Sequence, residues 1–236
     1  MFDLLLLGGA AALGLGGGTL ALGAYDPENT LFGPVIGRGT GDRRVLYLTF
    51  DDGPNPTATE AIVATLERER VPATFFMVGE HVRRFPELAR RVAQGGFEIG
   101  NHTASHVKLH VRGPARIRAE LDRAHDTIQT TTGRSPRLFR APHGYRNPFV
   151  ARAARRHGYT VVAWTFGVWD SAKPGADVIR QRVRVKSRPG AIVLLHDGDG
   201  YDPRGDRRQT AEALPAIIAD ARAAGYEFGS IAELVA

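Results

Sequence analysis

The chain contains no cysteine. That excludes disulfides, thiol catalysis and any thiolate-held zinc or iron–sulfur site. Lysine is nearly absent as well: Lys108, Lys173 and Lys186 are the only ones, so the formal charge of +6 rests on arginine. The arginines are scattered over helical segments, as at Arg83-Arg84, Arg90-Arg91 and Arg152–Arg156, with no aromatic-interleaved stripe beside them. Such a surface is solvated and compatible with an anionic polymer nearby, but it lacks the footprint of a nucleic-acid binder. No nucleic-acid partner is expected. Internal repeats are missing too, and the only compositionally biased tract is the Gly/Leu/Ala-rich start of the chain.

What remains is an ordinary globular composition. The 236 residues, 43% hydrophobic and 24% charged, suit one large domain with a sizeable core. The N-terminal segment stands apart, since Leu4 to Ala24 carry no charge. At ~1.5 Å per residue a helix of ~20 residues spans a ~30 Å hydrocarbon layer. Residues 1–24 are therefore expected to be a membrane anchor or an export signal, although Asp3 stands where a basic residue would be usual. Residues 25–42 are turn-rich and read as a linker, and residues 43–236 as the folded domain.

Within that domain strands and helices alternate. Val45–Phe50, Thr74–Val78, Phe97–Gly100, Leu138–Arg140, Thr160–Phe166 and Ala191–Leu195 read as strands, with a short one near Tyr226–Ser230. Thr57–Arg70, Val82–Gln94, Pro114–Thr132, Pro148–His157 and Thr210–Ala223 read as helices. Buried strands separated by helices predict an α/β fold with parallel β structure.

Two segments carry the chemistry. Asp51 and Asp52 close an apolar strand just before Gly53-Pro54, and His102-Thr103-Ala104-Ser105-His106 follows some fifty residues later. Alone, the first resembles any turn and the second any solvated helix face. Together they offer two imidazoles and a carboxylate, a donor set that suits a catalytic divalent metal with one position left for water. On a helix, residues four apart share a face, so His102 and His106 are expected to point at one ion. Alternation along a strand sends Asp51 and Asp52 to opposite sides, so one is expected as ligand and the other as a base beside the metal-bound water.

The other polar groups fall into the same pattern. Asp51-Asp52, His102, Arg140, Asp170 and His196 each lie at or just past the C-terminal end of a predicted strand. In a parallel α/β barrel that is the face on which active sites are built. His110 lies ~12 Å along a helix from His102, too far to share an ion. His81, His125 and His157 are expected to be solvated, and Asp197 to Asp202 to form a turn-rich rim loop.

These residues resemble the polysaccharide deacetylase family, the NodB-homology or carbohydrate esterase 4 group, over about residues 43–236. Thr49-Phe50-Asp51-Asp52-Gly53-Pro54 matches the first family motif and His102-Thr103-Ala104-Ser105-His106 the second. Arg140-Ala141-Pro142-His143-Gly144 resembles the third, and Leu194-Leu195-His196-Asp197 the fifth. The resemblance implies a distorted (β/α) barrel with fewer than eight parallel strands. It implies that Asp52, His102 and His106 bind the metal, that Asp51 is the general base and that His196 is the general acid. Arg140 would orient Asp51, Asp170 would pair with His196, and Leu194 would line the acetyl methyl pocket. Two departures stand out. The fourth motif usually reads Asp-x-x-Asp-Trp, whereas this chain has Gly167-Val168-Trp169-Asp170-Ser171. The third carries His143 where Tyr is common. Trp169 would then refill the apolar wall, and His143 and Trp169 would meet the substrate.

The implied activity is metal-dependent removal of N-acetyl groups from an N-acetylhexosamine polymer of the cell envelope, peptidoglycan or chitin-like. Zinc is the expected metal, with cobalt or nickel as alternatives. The expected location is the envelope side of the membrane, anchored or secreted. The alternatives are O-acetyl removal or another C–N hydrolysis on the same scaffold, a catalytically silent polysaccharide-binding module, and a non-haem iron oxygenase, whose site is also two His and a carboxylate.

Overall fold

The structure, a computed structural model, describes residues 23–41 and 43–235. The hydrophobic segment expected to anchor or export the chain lies, up to residue 22, outside the described residues. Among those described, no helix is long and apolar enough to cross a membrane.

The elements run β1 (Val45–Asp51), α1 (Thr59–Glu69), β2 (Ala73–Met77), α2 (Gly79–Arg84), α3 (Pro86–Gln94) and β3 (Glu98–Asn101). Then come α4 (Pro114–Thr132), β4 (Leu138–Phe139), α5 (Pro148–Arg156), β5 (Thr160–Val161) and β6 (Phe166–Gly167). The chain closes with α6 (Ala176–Lys186), β7 (Ala191–His196), α7 (Arg208–Ala223) and β8 (Glu227–Phe228). The strands pair in parallel in the order β5-β4-β3-β2-β1-β7-β6, with β8 off this path beside the start of β1. A seven-strand curved wall surrounded by helices is the distorted, incomplete (β/α) barrel that the resemblance implied.

Every residue of β1 is buried, because a parallel strand is covered on both faces. Its alternation sorts the two layers. Leu46, Leu48 and Phe50 join the larger core with Ile62 and Leu66 of α1 and Leu214 and Ile217 of α7. Val45 and Tyr47 pack inward with Phe76, Leu138, Val162 and Ile192. Asp51 continues the inward set by the period of two. Full burial of each large apolar side chain contributes ~1.5–3 kcal/mol.

Two expected elements are interrupted. The helix expected over residues 82–94 is two helices, α2 and α3. Phe85 between them has φ −128° and ψ 61°, since proline at 86 disfavours the helical conformation in the residue before it. The strand expected over residues 160–166 survives only at its ends, as β5 and β6, which do not pair with each other. The preceding segment fills the gap. Ile36 donates to Val161 O at 2.9 Å and its carbonyl accepts from Ala163 N at 2.8 Å, while Thr165 Oγ1 donates to Gly37 O at 2.7 Å. Part of the segment read as a linker thus seals the open side of the barrel.

Candidate active site

The polar groups collect at the C-terminal rim of the strands. Asp51 and His196 end β1 and β7 and are register partners. Asp52, His102 and Arg140 are each the first residue past a strand, and their amides still bind the neighbouring strand. Asp52 N donates to Phe76 O at 3.2 Å, His102 N to Met77 O at 3.0 Å and Arg140 N to Asn101 O at 3.1 Å. The rim is therefore held by the same ladder that builds the wall.

Asp52, His102 and His106 come together as a buried group whose ligand atoms lie within 4.8 Å of one another. Asp52 Oδ1 sits 3.3 Å from His102 Nε2 and 3.1 Å from His106 Nε2. It has no hydrogen-bonding partner although it is buried. One carboxylate oxygen and two imidazole nitrogens converging around an orphaned acceptor fit a divalent cation, zinc among them. The donor set does not choose between zinc and its neighbours. Burial by itself favours a neutral Asp52 carboxyl, but His106 and His102 outweigh it and hold the group well below its ordinary range.

The route by which these side chains meet differs from the expectation. His102 and His106 are not on a helix: residues 102–106 form a loop after β3. Thr103 and His106 have φ of 71° and 51°, and Thr103 Oγ1 accepts from His106 N at 3.1 Å. Nor do Asp51 and Asp52 point to opposite faces. Asp52 has φ 75°, so the chain turns as it leaves the strand and both carboxylates face His102, Asp51 Oδ2 at 3.7 Å. Among the described residues seven non-glycines have positive φ, and five of them, Asp52, Thr103, His106, His143 and Trp169, belong to this site. Backbone strain of this kind concentrates where a constellation is fixed by its surroundings.

The surroundings are specific. His102 Nδ1 donates to Arg140 O at 2.8 Å, which leaves the Nε2 lone pair free for a metal. Helix α2 and the residue before it clamp both loops that carry this group. Val78 N donates to Gly53 O at 3.0 Å, and Gly79 N and Glu80 N donate to Thr103 O and Ala104 O, each at 2.9 Å. His81, which was expected in solvent, is buried and its Nδ1 donates to Asp52 O at 2.7 Å. A Cβ at Gly198 would come 2.1 Å from Asp52 O, so only glycine fits beneath that carbonyl. His125 and His157 are half-buried rather than solvated, bonded to Tyr159 and Asp122 respectively.

Arg140 is fully buried under Asp51. Its Nη1 donates to Asp51 Oδ1 at 2.7 Å and to Thr49 Oγ1 at 2.8 Å, and its Nη2 to Ala163 O at 2.8 Å. The guanidinium carbon sits over the Phe76 ring, 4.1 Å from the ring centroid. Burial lowers the arginine's proton affinity and Asp51 opposes that shift. The result is a carboxylate fixed through one oxygen, with the other turned toward His102.

Across the site His196 Nδ1 donates to Asp170 Oδ1 at 2.8 Å. Asp170 Oδ2 accepts from His196 N at 2.7 Å and from Thr210 Oγ1 at 3.0 Å. Burial works against the imidazolium, but Asp170, with Asp52 and Asp51 behind it, lifts the His196 pKa to about 9. Burial likewise opposes ionisation of Asp170, and His196 holds its carboxyl below the usual value.

A cleft of about 550 Å³ contains Asp51, Asp52, His102, His106 and His196. Leu194, His143 and Trp169 line it as expected, although Trp169 is 71% exposed and forms a rim more than a wall. Trp164, Phe166, Tyr145 and Tyr201 supply further apolar surface that the motifs did not reveal. His143 Nε2 bonds to Tyr201 OH at 2.8 Å, and burial with nearby His106 pushes the His143 pKa down to about 4. Arg207, buried, ties the rim loop together through Gly198 O at 2.7 Å, Asp199 Oδ2 at 2.8 Å and Ser171 O at 3.0 Å. A larger cavity, about 710 Å³, opens at the other end of the strands beside Val71, Phe97 and Arg134. It holds no comparable constellation among the described residues.

Comparison with known proteins agrees with this arrangement. Residues 38–162 match the family described as polysaccharide deacetylase. A chitooligosaccharide deacetylase from Bradyrhizobium sp. (strain ANU 289) is 38% identical over 212 residues, covering 85% of this chain and 96% of that protein. A peptidoglycan-N-acetylglucosamine deacetylase from Bacillus cereus is 35% identical over 196 residues, 82% of this chain and 89% of the relative. Among solved structures, a CE4 family pseudoenzyme from Bacillus anthracis superposes with a TM-score of 0.78 at 30% identity, covering 86% of this chain and 69% of that one. A pseudoenzyme of like fold makes the site residues decisive, and here Asp51, Asp52, His102, His106 and His196 all line one cleft. The chain belongs to the polysaccharide deacetylase family, the NodB-homology or CE4 group.

Proposed function

We propose that the protein removes N-acetyl groups from N-acetylhexosamine residues of a cell-envelope polysaccharide, with Asp51 as base and His196 as acid. Asp52, His102 and His106 would hold a divalent metal, zinc by preference. When bound, such an ion lowers the pKa of its water and polarises the scissile carbonyl. Asp51 takes the proton from the attacking water through the oxygen that Arg140 leaves free. Arg140, donating to the other oxygen, keeps this carboxylate correctly turned. A backbone N–H near His143 helps to hold the oxyanion.

The observation that carries the reading is the His196–Asp170 pair, 2.8 Å apart, with His196 opening on the same cleft as its register partner Asp51. An amine leaves a tetrahedral intermediate readily only once its nitrogen is protonated. An imidazole whose pKa is raised by the Asp170 carboxylate holds that proton more firmly at neutral pH. An alkoxide leaving group depends on such an acid far less, so the pair favours amide over ester cleavage. The names of the relatives, which act on chitooligosaccharide and peptidoglycan N-acetylglucosamine, support the same substrate class. For placement, we propose that the N-terminal segment directs the chain to the membrane with the catalytic domain on the envelope side.

The test is acetate release from chitooligosaccharide, peptidoglycan and acetylxylan, with and without added zinc or cobalt. Release from the N-acetylated substrates that depends on metal is the expected result. Release from acetylxylan alone would replace the reading with an esterase, and silence on all three with metal bound would leave a binding module. Activity that requires oxygen would point to iron chemistry instead.

A further inference from the structure

We propose that the segment before the barrel is part of the glycan-binding face, with Tyr25 forming an outlying stacking site for a strand of β-linked N-acetylhexosamine. The inference rests on the deacetylase reading of the cleft and extends it to a surface outside the matched family residues, which begin at position 38.

The chain has six tyrosines and two tryptophans, and both tryptophans with Tyr145 and Tyr201 line the one catalytic cleft. From the metal ligand His106 a row of rings leads outward. His106 to His143 is 5.0 Å between centroids, His143 to Tyr145 is 5.5 Å and Tyr145 to Tyr25 is 5.1 Å. Tyr25 is also braced edge-on by His110 at 5.0 Å. His110 and Tyr145 are 4.8 Å apart, so the three rings form one cluster that fixes Tyr25 while the residue remains 54% exposed. An exposed aromatic on a solvated segment normally swings free. This one is fixed as the end of a row that begins at the reacting centre.

The segment carrying it is anchored by the third-motif loop. Arg146 is buried, its N donates to Ala24 O at 3.0 Å, and its Nη2 donates to Asn29 O at 2.6 Å and Pro27 O at 3.2 Å. A Cβ at Gly144 would fall 2.6 Å from Pro27 and 2.8 Å from Trp164. Residues 24–29 therefore pack directly behind a wall of the cleft. Hexosamine rings present flat C–H faces flanked by polar edges, and aromatic residues held rigidly recognise such surfaces at little entropic cost.

Binding of N-acetylglucosamine dimer and pentamer to the full chain, measured by calorimetry, tests the idea. Tyr25→Leu keeps an apolar contact to His110 and Tyr145 but removes the flat ring. It is expected to weaken the pentamer about tenfold, the scale of an aromatic hot spot, and to leave the dimer within about twofold. Tyr25→Phe is expected to match the parent on both. Equal weakening of dimer and pentamer, no weakening of either, or failure of the parent to bind the pentamer would each overturn the proposal. Acetate release in the same samples separates the two readings. A pentamer that binds through Tyr25 but loses no acetate overturns the deacetylase assignment and leaves the binding face standing.

Discussion

Asp170→Asn gives a quantitative check on the acid. In the parent, Asp170 accepts the Nδ1 proton of His196 through one oxygen and the His196 backbone N–H through the other. The backbone N–H is a donor that cannot change, so the single oxygen of the introduced amide is expected to turn toward it. The amide NH₂ then faces Nδ1, and a doubly protonated imidazole would set two donors against each other. The imidazolium loses its countercharge and its hydrogen bond together. The His196 pKa should drop from about 9 to the ordinary 6.5 or lower. That displacement corresponds to about 3 kcal/mol or more between protonation states.

If His196 must be charged to expel the amine, the alkaline limb of kcat should move down with it. At pH 8 roughly 90% of the parent's His196 is protonated against ~3% in the variant, a deficit of about 30-fold that shrinks toward pH 5.5. A bound cation lowers both values through the same field, so the separation of the limbs is the quantity to compare. Initial rates of acetate release from N-acetylglucosamine pentamer between pH 5.5 and 10 measure it, with metal content and near-ultraviolet circular dichroism as controls. An unshifted alkaline limb in a folded, metal-loaded variant would refute the assignment of His196 as acid. The linkage has a stability side. Because the folded-state pKa is raised, His196 stabilises the parent fully below pH 6.5 and this contribution fades as pH rises through about 9.

Asp52→Ala, His102→Ala and His106→Ala should each lose bound metal and activity together, because a three-ligand site has no spare ligand; full occupancy by elemental analysis in any one removes that residue from the site. Asp51→Asn should retain metal yet lose ~10²–10⁴-fold in rate, as expected for a general base, and near-normal turnover would reverse the roles of base and ligand. His81→Ala should weaken metal binding by ~10–100-fold, the scale of supporting-shell losses, whereas His81→Asn, which can still donate to Asp52 O, should recover most of it; competition with a chelator reads the difference. A C-terminal reporter active only after export should be active in the full chain, and silence with expression confirmed would place the domain in the cytoplasm.

How far the sequence foresaw this molecule can be read element by element. Helix α4 was expected over the residues it occupies, Pro114–Thr132, because proline opens it and Gly133, with φ 72°, closes it. Helix α6 had no counterpart in the expectations. Only Ile179 and Val183 of its eleven residues are buried, so its apolar stripe is too thin to stand out among charged neighbours. The stretch 160–166 looks like one buried strand because it is uniformly apolar. Its division follows from a seam sealed by Ile36 and Gly37, more than a hundred residues earlier, and local composition carries no trace of that pairing. The candidate metal ligands and the rim were legible because they stand beside strand ends in compact motifs. His81 and Arg207 were not, since each acts through backbone carbonyls that only folding brings near.

The fourth-motif departure shows how the same chemistry can sit in a different groove. Trp169 has φ 57° and is turned outward, so it does not take the place of the tryptophan that the family usually carries at position 171. Ser171 is at that position, and its carbonyl instead accepts from Arg207, which locks the rim loop. The apolar wall comes from elsewhere: Trp164 leaves the strand gap between β5 and β6 and lines the cleft with Phe166 and Leu194. Trp164 also lies 5.7 Å from the guanidinium of Arg140, so the wall and the residue that orients the base share one packing unit. On the opposite side His143 is held neutral and bonded to Tyr201, which sets an aromatic pair where a single tyrosine is common. Asp51, Asp52, His102, Asp170 and His196 are unchanged by these exchanges, and His106 meets them only through ring packing with His143 and Tyr201, 5.0 and 5.1 Å between centroids. The proposed reacting groups are therefore the residues the family motifs lead one to expect, while the walls beside them are rebuilt, and differences from relatives should appear in substrate length and affinity before they appear in the identity of the bond that is cut.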